Sequence, residues 1–333
     1  MRPADAGRSS LVRTVFFGSG SFAVPILHAL VSRFDVELVG VVAPPDGRVG
    51  RTGRSTAVPV ATAARAVGLP LLQVPRVRTP EAIDAIRTLA PDLGVLADFG
   101  QLVPQEILDL PRLGILNVHP SLLPRHRGAT PIQATILAGD AVAGVSIMRM
   151  DAGLDTGPVL AARSWVLDGT EDTPGLELRA AREGASLLDQ VVTDVLAGRD
   201  NGTPQEPAAA TMTRPLVREA GRLDPRLPAV QLERRVRAMR PWPGTFLEVG
   251  RLRLVVHEVA IADLEPGDAP GVLAAAGDGI ALPTVDARIV LRRVQPAGGR
   301  EMTGAALRRG RPSIIGATVA SLPPVSPAVE APG

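Results

Sequence analysis

Short apolar runs alternate with helical patterns along the first 200 residues of this chain. Residues 12–17 read as a strand, and after a Gly-Ser-Gly turn residues 23–33 read as a helix. The alternation continues through an apolar strand at 113–118 to a long helix at 174–196. Because this order is typical of parallel strands covered by helices on both faces, we expect an α/β domain with a mostly parallel sheet over residues 11–200.

The composition changes after this region. Proline, glycine and alanine dominate near residue 200, which predicts a linker over residues 201–220. Beyond it, short β-rich runs separated by Gly, Pro and Asp predict a small β-barrel over residues 221–320. The predicted strands are residues 245–249, 252–259, 271–275, 279–283 and 288–294. We expect the ends, residues 1–10 and the proline-rich 321–333, to be disordered.

Residue usage narrows the possible chemistry. The 333 residues include no cysteine and no lysine, and all 36 basic residues are arginine, which excludes disulfides, thiolate nucleophiles and Schiff-base lysines. No apolar run reaches the length of about 18 residues that spans a bilayer, and the N-terminus lacks a signal-peptide core. We therefore expect a cytoplasmic protein with no membrane partner.

Charge is divided unevenly along the chain. Residues 211–320 hold 17 Arg against 11 Asp plus Glu, a net charge of +6, whereas residues 1–210 hold 19 Arg against 22 acidic residues, a net charge of −3. A basic second domain favours a polyanionic partner.

A polar pair and one later carboxylate are the candidate catalytic groups. Asn117 and His119 follow an apolar strand and, by alternation, point to the same side. Asp155 lies in an acidic, glycine-containing turn. An amide can stabilise an oxyanion, an imidazole can move protons near neutral pH, and a carboxylate can orient that imidazole. The three groups together predict acyl transfer at the carboxyl end of a parallel strand, where open α/β sheets bind ligands.

Other motifs admit weaker interpretations. The turn at residues 18–23 matches a dinucleotide fingerprint, but the second strand does not end in the acidic residue that an NAD site needs, so a structural turn is favoured. His126 lies seven residues after His119 in a loop, which is no metal-ligand spacing, and we expect no metal.

A glycine-spaced loop carries Arg48, Arg51 and Arg54. Its spacing fits a solvated loop and a phosphate-contacting arm equally well.

These stretches resemble the 10-formyltetrahydrofolate-dependent formyltransferase family, and within it the methionyl-tRNA formyltransferases. Asn117-x-His119 followed by Ser121-Leu122-Leu123-Pro124 is similar to the family signature, and the turn around Asp155 is similar to its catalytic aspartate loop. The resemblance to the tRNA enzymes extends to residues 127–133 and 240–244.

The resemblance implies a Rossmann-like formyltransferase domain and an OB-like C-terminal barrel. It implies formyl transfer from 10-formyltetrahydrofolate to the α-amine of methionyl-initiator tRNA, for translation initiation. Asn117, His119 and Asp155 would be catalytic. The folate pocket would be lined by two segments, Ser121, Leu122, Leu123 and Pro124, and Phe99, Gly100, Gln101 and Leu102. Arg48, Arg51 and Arg54 would contact the tRNA acceptor stem, and the barrel would hold the tRNA backbone.

Two residues depart from the family pattern. Phe99 stands where tyrosine is common, and His126 stands where the tRNA enzymes often carry tryptophan.

The rival functions are a nucleotide-amino-sugar formyltransferase with the same donor, an NAD dehydrogenase and a non-catalytic tRNA-binding module. We expect a monomer.

Overall fold

The computed structural model describes residues 11–49 and 54–320. The two termini predicted to be disordered, and Arg51 of the arginine loop, lie outside this range. Within it, the chain forms two compact units. One takes the residues up to Thr135 together with Ala141–Leu167 and Gly175–Pro215. The other takes Ile136–Asp140, Asp168–Pro174 and the chain from Leu216 onward.

Up to Pro215, strands and helices follow the predicted alternation. The strands are β1 (Val12–Gly18), β2 (Val36–Ala43), β3 (Gly47–Val49), β4 (Arg54–Thr56), β5 (Leu71–Gln73), β6 (Leu93–Ala97), β7 (Ile115–His119), β8 (Arg127–Gly128), β9 (Val142–Arg149), β10 (Val159–Val166) and β11 (Met212–Thr213). The helices are α1 (Ala23–Val31), α2 (Pro59–Ala66), α3 (Pro80–Thr88), α4 (Gln105–Leu108), α5 (Pro131–Ala138) and α6 (Thr173–Leu196).

A seven-stranded sheet organises this region, in the order β10-β9-β7-β6-β1-β2-β5. The five strands from β7 to β5 are mutually parallel, while β9 runs antiparallel to β7 and β10 antiparallel to β9. The predicted α/β class is therefore confirmed. The sequence patterns did not predict β10, whose side chains are mostly half-buried or exposed, so it lacks the apolar run of a central strand.

Apolar side chains of the parallel strands form the core. Val15 and Phe17 of β1 are fully buried, and the ring of Phe17 meets Phe99 edge to face at 5.6 Å between centroids. Phe99 comes two residues after β6 ends, so this contact fixes the start of the loop that follows the strand.

The second unit is built mainly from an antiparallel sheet. Its strands are β12 (Thr245–Val249), β13 (Leu252–Ala262), β14 (Ala274–Ala276), β15 (Gly279–Pro283), β16 (Arg288–Pro296) and β17 (Met302–Thr303), and its further helices are α7 (Ala229–Ala238) and α8 (Gly304–Gly310). The strand order is β12-β13-β16-β15-β14, with β17 paired to β16.

One short segment links the two edges of this sheet. Val319 pairs with Val249 of β12, and the adjacent Thr318 pairs with Val272, just before β14. Leu254, Ile280, Leu282 and other fully buried side chains fill the interior. The C-terminal barrel is therefore confirmed, and α8, which the sequence patterns did not predict, packs on β15 and β16.

No helix within residues 11–49 and 54–320 has the length and apolar character needed to cross a bilayer.

Candidate active site

Asn117 and His119 lie at the carboxyl end of β7, on one side of the strand as alternation predicts. Every residue of β7 is buried, and Asn117 and His119 are only 6% and 5% exposed as whole residues. Asn117 is paired with Leu96 of β6 on one side and with Met148 of β9 on the other. Both groups are thus fixed by a central strand with neighbours on each edge.

Asp155 completes the predicted trio. Its carboxylate Oδ1 accepts a hydrogen bond from Asn117 Nδ2 at 3.2 Å, and its Oδ2 accepts one from the backbone N–H of Gly128 at 2.7 Å. Oδ2 also lies 3.7 Å from His119 Nδ1. The structure therefore brings the amide, imidazole and carboxylate into one cluster.

The hydrogen bond on the far side of the imidazole fixes its tautomer. His119 Nε2 lies 2.9 Å from the carbonyl oxygen of His126. A carbonyl can only accept, so Nε2 carries the proton and donates it. In the neutral ring Nδ1 is then the basic nitrogen, and it is the one that faces Asp155.

A cavity of about 480 Å³ opens beside the cluster. Its wall includes Asn117, His119 and Asp155 together with Phe99, Gly100, Gln101 and Leu102, one of the two segments predicted to bind folate. An apolar cavity of this size with a few converging polar groups is typical of a small-molecule site. The arrangement can therefore bind a flat organic substrate next to an oxyanion donor and a base.

Comparison with known proteins identifies the family. A family profile described as formyl transferase matches residues 12–192, and the profile of its C-terminal domain matches residues 215–312. The chain belongs to the formyl transferase family. The methionyl-tRNA formyltransferase of Halorhodospira halophila is 44% identical over 92% of this chain and 99% of its own length.

Solved structures show the same fold at lower identity. The N-formyltransferase from Helicobacter canadensis, in complex with folinic acid and dTDP-3-aminofucose, superposes with a TM-score of 0.61 at 13% identity, over 84% of this chain and 99% of its own. The methionyl-tRNA formyltransferase from Clostridium thermocellum gives a TM-score of 0.52 at 16% identity, over 77% of this chain and 95% of its own.

The second predicted folate segment, Ser121 to Pro124, is not part of the cavity wall of this formyl transferase. Ser121 Oγ donates to the carbonyl of Arg125 at 2.7 Å, and Ser146 Oγ donates to the carbonyl of Ser121 at 2.8 Å and accepts from Leu123 N at 3.1 Å. The Leu123–Pro124 bond is cis. These contacts shape the loop after β7, and direct contact with folate stays a prediction.

Sequence reasoning missed two carboxylates in the cavity wall, Asp98 and Glu177. The pKa of Asp98 is raised to about 6 because the surrounding protein withdraws water from its carboxyl and because Glu177 is negatively charged. Asp98 directly follows β6, so the strand-end argument that found Asn117 could have found it. Glu177 lies inside α6 and carried no such signal.

The Gly-Ser-Gly turn packs against Asp98. Ser19 N donates to the Asp98 carbonyl at 3.0 Å, and a side chain at Gly20 would collide with the Asp98 carboxylate. Glycine is thus needed here for close packing, in agreement with the structural interpretation of this turn.

The last residues of the first unit also contribute to the site. Residues 212–213 form β11, which pairs in parallel with β8, and Thr213 and Pro215 line the cavity. The last stretch of the first unit ends at Pro215, and the longest stretch of the second unit begins at Leu216, inside the segment expected to be a linker.

The arginine loop is described only in part. The backbone of Arg48 pairs with Ser55, and that of Arg54 with Val49, in the β3–β4 hairpin, whereas Arg51 lies outside the described residues. The contact of these arginines with tRNA stays a prediction. Over residues 11–49 and 54–320, no group of three or more His, Asp or Glu side chains is placed to hold a metal ion.

Proposed function

We propose that this protein transfers the formyl group of 10-formyltetrahydrofolate to the α-amine of methionyl-initiator tRNA, which prepares that tRNA for translation initiation. The observation that carries the proposal is the Asn117–His119–Asp155 cluster at the wall of the cavity. The identity of 44% to a methionyl-tRNA formyltransferase over nearly its whole length supports this acceptor.

Asn117 supplies the oxyanion donor. One hydrogen of its Nδ2 is held by Asp155, which fixes the amide plane and leaves the second hydrogen for the formyl oxygen. That oxygen gains negative charge as the amine attacks the formyl carbon. A fixed donor of this kind is worth about 3 kcal/mol of transition-state stabilisation.

His119 moves the proton. Its Nδ1 accepts the proton that the attacking amine releases and delivers it to the folate nitrogen that leaves. The resulting cation lies 3.7 Å from the Asp155 carboxylate, inside a wall where His119 and Asp155 side chains are 6% and 11% exposed. Asp155 therefore stabilises the protonated ring and orients it, as a carboxylate does in other proton-transfer sites.

Phe99 to Leu102 are proposed to hold the folate ring. Phe99 is fixed by its contact with Phe17, and Gln101 Oε1 accepts from Val77 N at 2.8 Å, so the segment is held from behind. Gly100 has a φ of +71°, a conformation that glycine adopts without cost. A rigid, partly aromatic wall suits a flat heterocycle.

The barrel is proposed to hold the tRNA backbone. Arg251 and Arg300 are exposed on the β12–β13 and β16–β17 turns, and neither forms an ion pair within the described residues. Ala297 N donates to the Arg253 carbonyl at 2.9 Å, which places both turns at the same end of the barrel. Two exposed cations at one end of the barrel, in a region of net charge +6, suit a phosphate backbone.

The alternative is a nucleotide-amino-sugar formyltransferase. Its support is the structural likeness to the Helicobacter canadensis enzyme. Against it, the described cavity wall carries Asp98, Asp151, Asp155 and Glu177 and no arginine, so nothing there attracts a diphosphate. We also propose that the protein works in the cytoplasm as a monomer.

One assay tests the acceptor. Purified protein is mixed with 10-formyltetrahydrofolate and either methionyl-initiator tRNA or a nucleotide amino sugar, and tetrahydrofolate release and N-formyl product are followed. We expect turnover with the tRNA only. Turnover with the sugar and none with the tRNA would refute the proposal.

Neutralising Arg48, Arg51 and Arg54 with glutamine tests the tRNA-contacting loop. We expect a higher KM for tRNA and a shallower fall of binding with salt, since each lost phosphate contact reduces the salt slope by about one unit. An unchanged salt slope contradicts contact with phosphate. Arg112→Gln is the matched control, because Arg112 lies on the first unit outside the cavity wall and pairs with Asp92.

A further inference from the structure

Gln205 makes four hydrogen bonds to groups around Asp155, and its Nε2 also lies 3.9 Å from Met148 Sδ. Its Nε2 donates to the backbone carbonyls of Asp155 at 2.9 Å and Gly157 at 2.7 Å. Its Oε1 accepts from Arg127 Nε at 3.1 Å and Arg127 Nη2 at 2.8 Å. Both the nitrogen and the oxygen of the Gln205 side-chain amide therefore have hydrogen-bond partners, from segments 48 to 78 residues away in sequence.

The partners of Gln205 Nε2 and of Gln205 Oε1 are both connected to Asp155. On one side, Asp155 has a φ of +55°, so its backbone sits in the left-handed region that a non-glycine residue enters only when its surroundings hold it there. On the other side, Arg127 is 8% exposed and immediately precedes Gly128, whose N–H donates to Asp155 Oδ2. Gln205 therefore connects the backbone of Asp155 to the strand that binds its carboxylate.

The hydrogen bonds of Gln205 require a side-chain carboxamide. The carboxamide of Gln205 offers two donors to two carbonyls and one acceptor to a guanidinium. Glutamate in the same place would keep the contact with Arg127, but its second oxygen would face the carbonyls of Asp155 and Gly157 and repel them. The geometry thus requires an amide rather than a side chain of the same size.

We propose that Gln205 is a positioning residue that holds Asp155 against Asn117 and His119 during formyl transfer. Its side chain is not part of the cavity wall, so we assign it no contact with substrate and infer that it acts through the position of Asp155. This inference rests on the proposed function, because turnover is what reports the position of Asp155.

The first test compares Gln205→Glu and Gln205→Met with the wild-type protein. A displacement near 1 Å at a catalytic group lowers turnover about 100-fold, so we expect kcat to fall by about 10- to 100-fold in both variants. The KM values for tRNA and donor should stay within about two-fold, because ground-state contacts are untouched. Gln105→Glu is the control of equal chemistry, because Gln105 is an exposed residue at the start of α4 and lies outside the cavity wall.

A double-mutant cycle then separates positioning from general structural support. In an Asp155→Asn background the Gln205→Met change should lower kcat no further, since the group it positions is already disabled. Full multiplication of the two losses would overturn the proposal, as would near-normal kcat in both single variants. If wild-type protein formylates an amino sugar and not the tRNA, the proposed acceptor fails, and the same cycle with that sugar still decides the role of Gln205.

Discussion

Replacing Asp155 with asparagine removes the charge beside His119 and changes little else in size. The distance of 3.7 Å between Asp155 Oδ2 and His119 Nδ1 sets the expected magnitude. At an effective dielectric constant of about 20, two unit charges at that separation attract each other by about 4 kcal/mol. If that attraction develops only when the imidazole takes a proton, its loss lowers kcat by about 1000-fold.

Single-turnover kinetics with excess enzyme measure this loss directly, because they isolate the chemical step from product release. Asp109→Asn is the matched control, since Asp109 lies at the C-terminal cap of α4 and accepts a surface hydrogen bond from Gln105. Binding of methionyl-tRNA by Asp155→Asn should stay near the wild-type value. A single-turnover rate within about ten-fold of wild type would refute charge stabilisation of the imidazole.

Three further outcomes follow from the structure. His119→Ala should lower turnover at least about 100-fold with little loss of tRNA affinity in filter binding; near-normal turnover would exclude it from proton transfer. The pKa of Asp98 is raised from 3.8 to about 6, so its contribution to stability is fully present below pH 3.8 and is lost as the pH rises through 6. The melting temperature of Asp98→Asn relative to wild type should therefore increase from pH 4 to pH 7, and a constant difference would contradict the shift. Phe17→Ala should cost about 3–5 kcal/mol in urea unfolding, because its ring is fully buried; a loss below about 1 kcal/mol would mean that the core closes over the gap.

Local sequence patterns were sufficient to predict the repeated strand–helix units of the fold. The strand bearing Asn117 and His119 begins with apolar residues and is buried throughout, and its placement beside β6 follows from strand–helix alternation. Strand β10 lacks such a run because it lies at the sheet edge. Helix α8 is only seven residues long and contains two glycines, so its periodicity is too short to read.

The supporting groups of the site could not be read from the chain in the same way. Gln205 lies 50 residues from Asp155, in a stretch whose prolines and alanines read as a linker. Its role depends on two carbonyls and a guanidinium converging in space, and neither composition nor spacing encodes that. The N–H of Gly128 is a backbone group, so no residue type signals its contact with Asp155.

The left-handed backbone conformation of Asp155 limits which amino acids can replace it during evolution. Aspartate, asparagine and glycine tolerate a φ of +55°, whereas glutamate and β-branched residues are disfavoured there. Of these three residues, only aspartate carries a carboxylate. A lineage that lost aspartate here would keep a folded protein with asparagine or glycine, yet could regain the charge only by returning to the same amino acid.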